Sequence, residues 1–167
     1  MGIVKLAASL IIAATLCNAS FADTTNRYVG TWRMVSATVE RQGVESDAYG
    51  PNPHGWLVFT EDLTFIEVLT DPRVAKFESS VRGEGTDEEN RAAMSGSIGF
   101  FGRYTLDADG NFSGNKVEGS TFPNWVGSVR TKEDLQLTID GPRMTEHFTR
   151  PDGTKVHIIF ERVKAAD

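Results

Sequence analysis

One carboxylate of this 167-residue sequence, that of Glu146, is predicted to lie on an apolar face, where it could act in catalysis or ligand binding. Glu146 lies in the segment Arg143–Thr149, in which apolar and polar residues alternate. Met144 and Phe148 lie two residues to either side of Glu146, so the carboxylate shares the apolar face of a predicted strand. A carboxyl group on such a face loses hydration and holds its proton more firmly. Glu146 is therefore a candidate general acid or base, or a partner for the polar group of a ligand.

The three histidines invite a metal hypothesis that their placement does not favour. His147 and His157 oppose each other across a predicted hairpin, but on its polar, outward face, and His54 lies in a proline-rich loop. A zinc site needs three or four ligands with supporting hydrogen bonds. No serine triad or phosphate-binding glycine loop is present, and Cys17 is the only cysteine. We therefore expect neither a metal nor a cofactor.

Two predicted turns position Glu146. A three-residue loop at Pro151–Gly153 places Glu146 opposite Ile158, and a two-residue turn at Asp140-Gly141 places it opposite Leu135. Both turns put the carboxylate on one apolar face. The members of that face are Leu135, Leu137, Ile139, Met144, Phe148, Val156, Ile158 and Phe160.

A second hairpin supplies further inward residues. A four-residue turn at Asp107–Gly110 pairs Tyr104 with Ser113 and Phe100 with Val117. The expected inward residues are Ile98, Phe100, Tyr104, Leu106 and Val117, with Asn115 as a polar neighbour. Both faces of the segment Gly55–Thr70 are apolar, so the inward pair could be Trp56 and Val58 or Leu57 and Phe59.

Short apolar runs separated by glycine, proline, aspartate and asparagine predict an all-β fold. The expected strands are Thr31–Arg41, Gly55–Thr60, Leu63–Thr70, Ser97–Leu106, Phe112–Ser120, Gly127–Lys132, Asp134–Ile139, Arg143–Thr149 and Lys155–Val163. Between two of them, Thr86 and Glu89 have the spacing of a capping box, which predicts a short helix. A second helix could span Asp71–Ser80, and the whole excursion could be a lid or a peripheral loop.

The first 22 residues have the pattern of an export signal. Lys5 precedes an apolar run that is too short to span a bilayer, and Ser20 and Ala22 fit a small-x-small cleavage site. We expect cleavage after Ala22, one domain over residues 23–167, and a secreted or periplasmic location without stable membrane insertion. The net charge of −6 makes nucleic acid a poor partner.

Several motifs resemble the family of lipocalin-like domain proteins. Gly30-Thr31-Trp32 opens the first strand, and Phe160-Glu-Arg162 stands near the end of the last. The stretches Tyr49–Thr60 and Val117–Gly127 and the motif Gly102-Arg-Tyr-Thr105 extend the resemblance over most of the chain. The resemblance implies an up-and-down antiparallel barrel of eight to ten strands. It also implies structural roles for Gly30, Trp32 and Arg162, with the arginine stacked on the tryptophan at the closed barrel end.

Three functions remain open at this point. The first is binding of a small apolar molecule inside the barrel, for which the candidate residues are Phe100, Tyr104, Asn115, Val117, Glu146, Phe148 and Ile158. The second is a cofactor-free isomerase, cyclase or dehydratase in which Glu146 acts as the acid or base with help from Tyr104. The third is a filled barrel that acts as a structural or interaction module. The sequence leans away from an enzyme without deciding the question.

Overall fold

The chain folds into a nearly closed antiparallel barrel. The computed structural model describes residues 26–164, so the predicted signal segment at residues 1–22 lies outside the described residues. The elements are β1 Gly30–Arg41, β2 Val44–Asp47, β3 His54–Phe59, β4 Thr64–Thr70, α1 Asp87–Ser95, β5 Ser97–Leu106, β6 Phe112–Ser120, a 3₁₀ turn Pro123–Trp125, β7 Val129–Thr131, β8 Leu135–Asp140, β9 Arg143–Thr149 and β10 Lys155–Arg162. Within residues 26–164, no helix has the length and apolarity needed to cross a membrane.

The strand order leaves the barrel with one seam. Neighbouring strands follow the path β7-β6-β5-β4-β3-β1-β10-β9-β8, and β2, which the sequence analysis missed, pairs with β1 alone. The first and last strands of residues 26–164 are therefore hydrogen-bonded side by side. The two ends of the path, β7 and β8, are not paired with each other. Any gap in the barrel wall thus lies between β7 and β8, and we call this gap the seam.

The inner face carries the aromatic core, as alternation requires. Leu57 and Phe59 point inward from β3, whereas Trp56 is 48% exposed on the outer face, which settles the choice that the sequence left open. The buried apolar side chains include Tyr28, Trp32, Met34, Phe59, Phe65, Phe100, Tyr104, Phe112, Val117, Met144, Ile158 and Phe160.

One end of the barrel, which we call the base, is closed around Trp32. The Arg162 guanidinium lies 4.0 Å from the centroid of the Trp32 ring, so the predicted stack is present. Arg162 also donates hydrogen bonds to the carbonyl oxygens of Val29 and Arg27. Gly30 has φ 130°, and a Cβ there would lie 2.8 Å from the Arg162 Nη1, so the stack needs glycine at this position.

The predicted register of two hairpins was wrong. Leu137, rather than Leu135, is opposite Glu146, because the β8–β9 turn is Gly141-Pro142 and not Asp140-Gly141. Gly141 has φ 55°, and proline fixes the next φ near its negative value, as in a type II′ turn. In the β5–β6 hairpin Tyr104 pairs with Asn115 instead of Ser113, because bulges shift the ladder. In the β8–β9 hairpin the shift of two preserves the face of every residue. In the β5–β6 hairpin the shift changes along the ladder, from two residues at Tyr104 to three at Phe100, which is opposite Ser120 rather than Val117.

The segment between β4 and β5 contains one helix and not two. The capping box at α1 is present, with Thr86 accepting from the Glu89 backbone and Glu89 reaching back. The possible helix at Asp71–Ser80 is absent, because the Asp71 carboxylate holds the backbone and side chain of Arg73 in a turn that competes with a helix. No residue of α1 is buried. This is the packing of a peripheral element rather than of a closed lid.

Candidate functional site

Glu146 lies inside the barrel, on the face that the sequence predicted. Its neighbours on the two adjacent strands are Ile158 and Leu137. The residue is 2% exposed, and its Oε2 atom has no hydrogen-bond partner among residues 26–164. An unpaired buried carboxylate oxygen costs free energy that a leucine at the same position would not.

A second carboxylate, Glu67, faces the same interior. It lies on β4 in phase with Phe65 and Leu69 and is 3% exposed. Three strands separate β4 from β9 along the sheet, so the two glutamates come from different walls of the barrel. The sequence analysis missed Glu67 because it left open which face of this apolar segment points inward.

The two carboxyl groups cannot both be charged without penalty. Burial raises the pKa of Glu146 to about 7, and the nearby Arg130 opposes that rise. The pKa of Glu67 is raised well above its usual value, first by burial and then by the charge of Glu146, and is again opposed by Arg130. Since like charges in one interior repel, the pair retains at least one proton near neutral pH.

Arg130 is the cation that acts on both carboxyl groups. Its guanidinium carbon lies 4.8 Å from the ring centroid of Trp125, 5.4 Å from that of Phe100 and 5.7 Å from that of Phe148. These rings come from the 3₁₀ turn, β5 and β9, so they surround the guanidinium from three elements. We call the three rings the aromatic cage. The Val129–Thr131 strand is too short for alternation to reveal that Arg130 points inward.

Tyr49 completes the set of titratable groups around the carboxyl pair. It follows β2 in a buried loop and is 7% exposed. Burial first, and then the charge of Glu67, raise the pKa of Tyr49 to about 12, while Arg150 lowers it. The hydroxyl therefore stays protonated. We call Tyr49, Glu67, Arg130 and Glu146 the polar cluster.

The structure separates the residues that the sequence grouped as one ligand site. Phe100 and Phe148 lie at the cage, and Asn115, 8% exposed, is the ladder partner of Arg130 and has an unpaired Oδ1 among the described residues. Val117 and Ile158 are packed into the core.

Tyr104, which the sequence suggested as the helper of Glu146, is not paired with it, and neither is Arg162. The Tyr104 hydroxyl accepts from Asn26 and donates to the Thr60 carbonyl at the end of β3. Arg162 is held at the base by Trp32.

Two depressions lie along β8, outside the packed interior. One, of about 420 Å³, opens at the seam and is lined by Phe112, Lys132, Glu133, Leu135, Gln136, Leu137 and Thr138. The other, of about 300 Å³, is lined partly by Phe148, Val156 and His147. Neither is lined by Glu146. Neither depression is therefore the ligand cavity that the sequence placed around this carboxylate. Inward side chains such as Phe112 and Leu135 can be reached from the seam.

The two opposed histidines lie outside the barrel, as expected. The His147 and His157 rings are stacked, with centroids 4.2 Å apart. Among residues 26–164 no three His, Cys, Asp or Glu side chains form a group that could hold a metal ion. The pair is thus a surface contact between β9 and β10.

Comparison with known proteins agrees with the barrel and its motifs. A family model described as a lipocalin-like domain matches residues 29–153, which is more than half of the chain. No curated protein matches this sequence. Among solved structures, a redesigned β-barrel is similar at 18% identity and a TM-score of 0.39, over 82% of this chain and 92% of that one. Because the model of the lipocalin-like domain matches residues 29–153, the chain belongs to the lipocalin-like domain family.

Proposed function

We propose that this protein binds a small molecule, with an apolar body and a polar group, between the polar cluster and the seam of the barrel. The observation that carries the proposal is the unpaired, buried Oε2 of Glu146 with a second carboxyl group in the same interior. A barrel kept only for stability would gain from leucine or methionine at these positions. The two buried carboxyl groups therefore lower stability, and a role in ligand recognition would explain why they are present.

The test compares two variants of one residue. Glu146→Gln keeps the shape of the side chain, and Glu146→Leu removes its polar group. Native mass spectrometry of the protein purified from its own host should detect a co-purified small molecule with the wild type. The Leu variant should be at least as stable as the wild type and should lose that molecule. A Leu variant that retains the molecule would refute the role of Glu146.

A cofactor-free enzyme is the second candidate. It is favoured by the pKa of Glu146, which burial raises to about 7, where a general acid or base works best at neutral pH. Glu67 takes the place of Tyr104 as the assisting group in this mechanism. If ligand turnover is found, its rate should depend on pH with Glu146 present and lose that dependence in Glu146→Gln.

Export is the remaining part of the proposal. It rests on the charged, apolar and small-residue segments of residues 1–22. N-terminal sequencing of the protein recovered outside the cytoplasm should begin at Asp23. Recovery of the mature protein with Met1 still present would contradict export by this signal.

A further inference from the structure

The aromatic cage around Arg130 has the composition of a site for an organic cation. Proteins bind ammonium and guanidinium groups over the faces of tryptophan, tyrosine and phenylalanine at ring distances of up to about 6 Å. All three cage rings lie within that distance of the Arg130 guanidinium. The cage thus has the form of a cation site that a side chain of the protein itself fills.

Arg130 is weakly fastened in this place. Among residues 26–164, its side chain forms none of the hydrogen bonds or ion pairs that fix other arginines, such as the ion pair of Arg33 with Glu161. It is half-buried, and the strand that carries it makes only three ladder pairs, all with β6. The opposite edge of that strand faces the seam. The side chain can therefore leave the cage without breaking a specific polar contact.

Among the described residues, two acceptors near the cage, on Glu146 and Asn115, lack donors. Glu67 and Glu146 are both wholly buried, and Arg130 is the cation that lowers the pKa of each. The Glu146 Oε2 and the Asn115 Oδ1 lack donors within residues 26–164. A ligand that brings both positive charge and N–H groups would satisfy these atoms and replace the charge of Arg130.

We propose that the site takes a protonated primary or secondary amine with an apolar body, which displaces Arg130 from the cage of Phe100, Trp125 and Phe148. The ammonium group then lies over the rings and donates to the Glu146 Oε2 and the Asn115 Oδ1. Arg130 moves towards solvent at the seam. This inference rests on the proposed function, whose ligand class it specifies.

The experiment frees the cage and compares three probes of one shape. Arg130→Ala removes the competing side chain, and Arg130→Met keeps the cage filled without a charge. Arg33→Ala on the outer face is the matched control. The probes are 2-phenylethylamine, 2-phenylethanol and phenylacetate, titrated at pH 7 by calorimetry, with the combined fluorescence of the three tryptophans as a second readout. Circular dichroism and urea unfolding confirm that each variant is folded.

We expect Arg130→Ala to bind 2-phenylethylamine at least tenfold more tightly than the wild type and to prefer it to the alcohol and the anion. Arg130→Met and Arg33→Ala should show no such gain, and adding Glu146→Gln to Arg130→Ala should remove the preference for the amine. If Arg130→Ala does not fold, the wild type decides: 10 mM of the amine should raise its melting temperature, and the alcohol and anion should not.

Two results overturn the inference, and they differ in what they leave standing. In the first, the folded Arg130→Ala variant, or the wild type if that variant does not fold, responds to 2-phenylethanol as strongly as to the amine. This result refutes the cation site but is compatible with small-molecule binding. The absence of any response to all three probes, together with no co-purified molecule in native mass spectrometry, refutes both the inference and the proposed function.

Discussion

Glu146→Gln should change the pH dependence of stability in a direction that burial dictates. Below pH 4.5 the carboxyl group is protonated in the folded and the unfolded chain. As the pH rises, the unfolded chain loses this proton near 4.5, the ordinary pKa of a glutamate, while the folded chain keeps it until about 7. The folded state then binds more protons than the unfolded state, so the free energy of unfolding falls across this window.

The size of the effect follows from the same two values. Each unit of pKa shift corresponds to about 1.4 kcal/mol, so wild-type Glu146 costs about 3 kcal/mol of stability by pH 8. Glutamine does not titrate, and its neutrality also lowers the pKa of Glu67, which the charge of Glu146 otherwise raises. Relative to the wild type, Glu146→Gln should therefore gain about 3 kcal/mol between pH 4.5 and pH 8, or about 10 °C in melting temperature for a domain of this size.

Urea unfolding at four pH values between 4.5 and 8 measures this difference. The matched control is Glu118→Gln, an exposed carboxylate on β6, for which no such gain is expected. Glu67→Gln should behave like Glu146→Gln, and the double variant should gain less than the sum, because the two carboxyl groups interact. A difference between Glu146→Gln and the wild type that stays constant with pH would show that Glu146 titrates as it does in water, and the buried site would be refuted.

Three further variants test the fold that holds the site. Trp32→Ala should lower the free energy of unfolding, measured in urea, by about 3–5 kcal/mol, because Trp32 is wholly buried. Trp56 is half-exposed, so Trp56→Ala should lower it much less. Equal losses would contradict the placement of Trp32 at the closed base. Gly102→Ala should prevent a stable fold, because its Cβ would lie 1.9 Å from the Lys116 carbonyl oxygen. Gly99→Ala on the same strand is the control, since its Cβ would meet nothing closer than 3.4 Å. If circular dichroism shows both variants folded, the register between β5 and β6 is wrong. Thr86→Ala should fray α1 by removing its cap, at a local cost of about 1 kcal/mol, and proteolysis near residue 86 should rise without a change in global unfolding, because α1 buries no side chain.

The sequence predicted the face of Glu146 more securely than its exact neighbours. The turn at Gly141-Pro142 moved the pairing of β8 by two residues, and a shift of two leaves the inward set unchanged. On β4 the same reasoning could not decide, because Phe65 and Leu69 on one face are matched by Ile66 and Val68 on the other. Glu67 was hidden by that balance. Arg130 was hidden by the shortness of β7 and because two of the rings around it, Phe100 and Phe148, lie far away in the sequence.

The aromatic residues connect the base of the barrel to the cage. Ring contacts run from Tyr28 to Phe59, from Phe59 to Phe65, and from Phe65 to Phe100, which meets Trp125 at 5.2 Å. Three of these contacts are edge-to-face and the one between Phe59 and Phe65 is tilted. Such contacts supply stability that can offset the cost of two buried carboxyl groups. The last two residues of this series also hold Arg130.

This overlap separates the consequences of changes at the two ends. A substitution at Trp32 acts on the base alone, so it should lower stability and leave the preference among ligands unchanged in the molecules that remain folded. A substitution of Phe100 or Trp125 alters both the packing and the cation site. Leucine at either position keeps an apolar side chain but removes the ring face. Relative to the wild type, the loss of ligand preference should therefore be larger than the loss of stability. In a filled structural barrel the same substitutions would lower only stability. The ratio of the loss in ligand preference to the loss in stability therefore shows whether these rings form a binding site or serve packing alone.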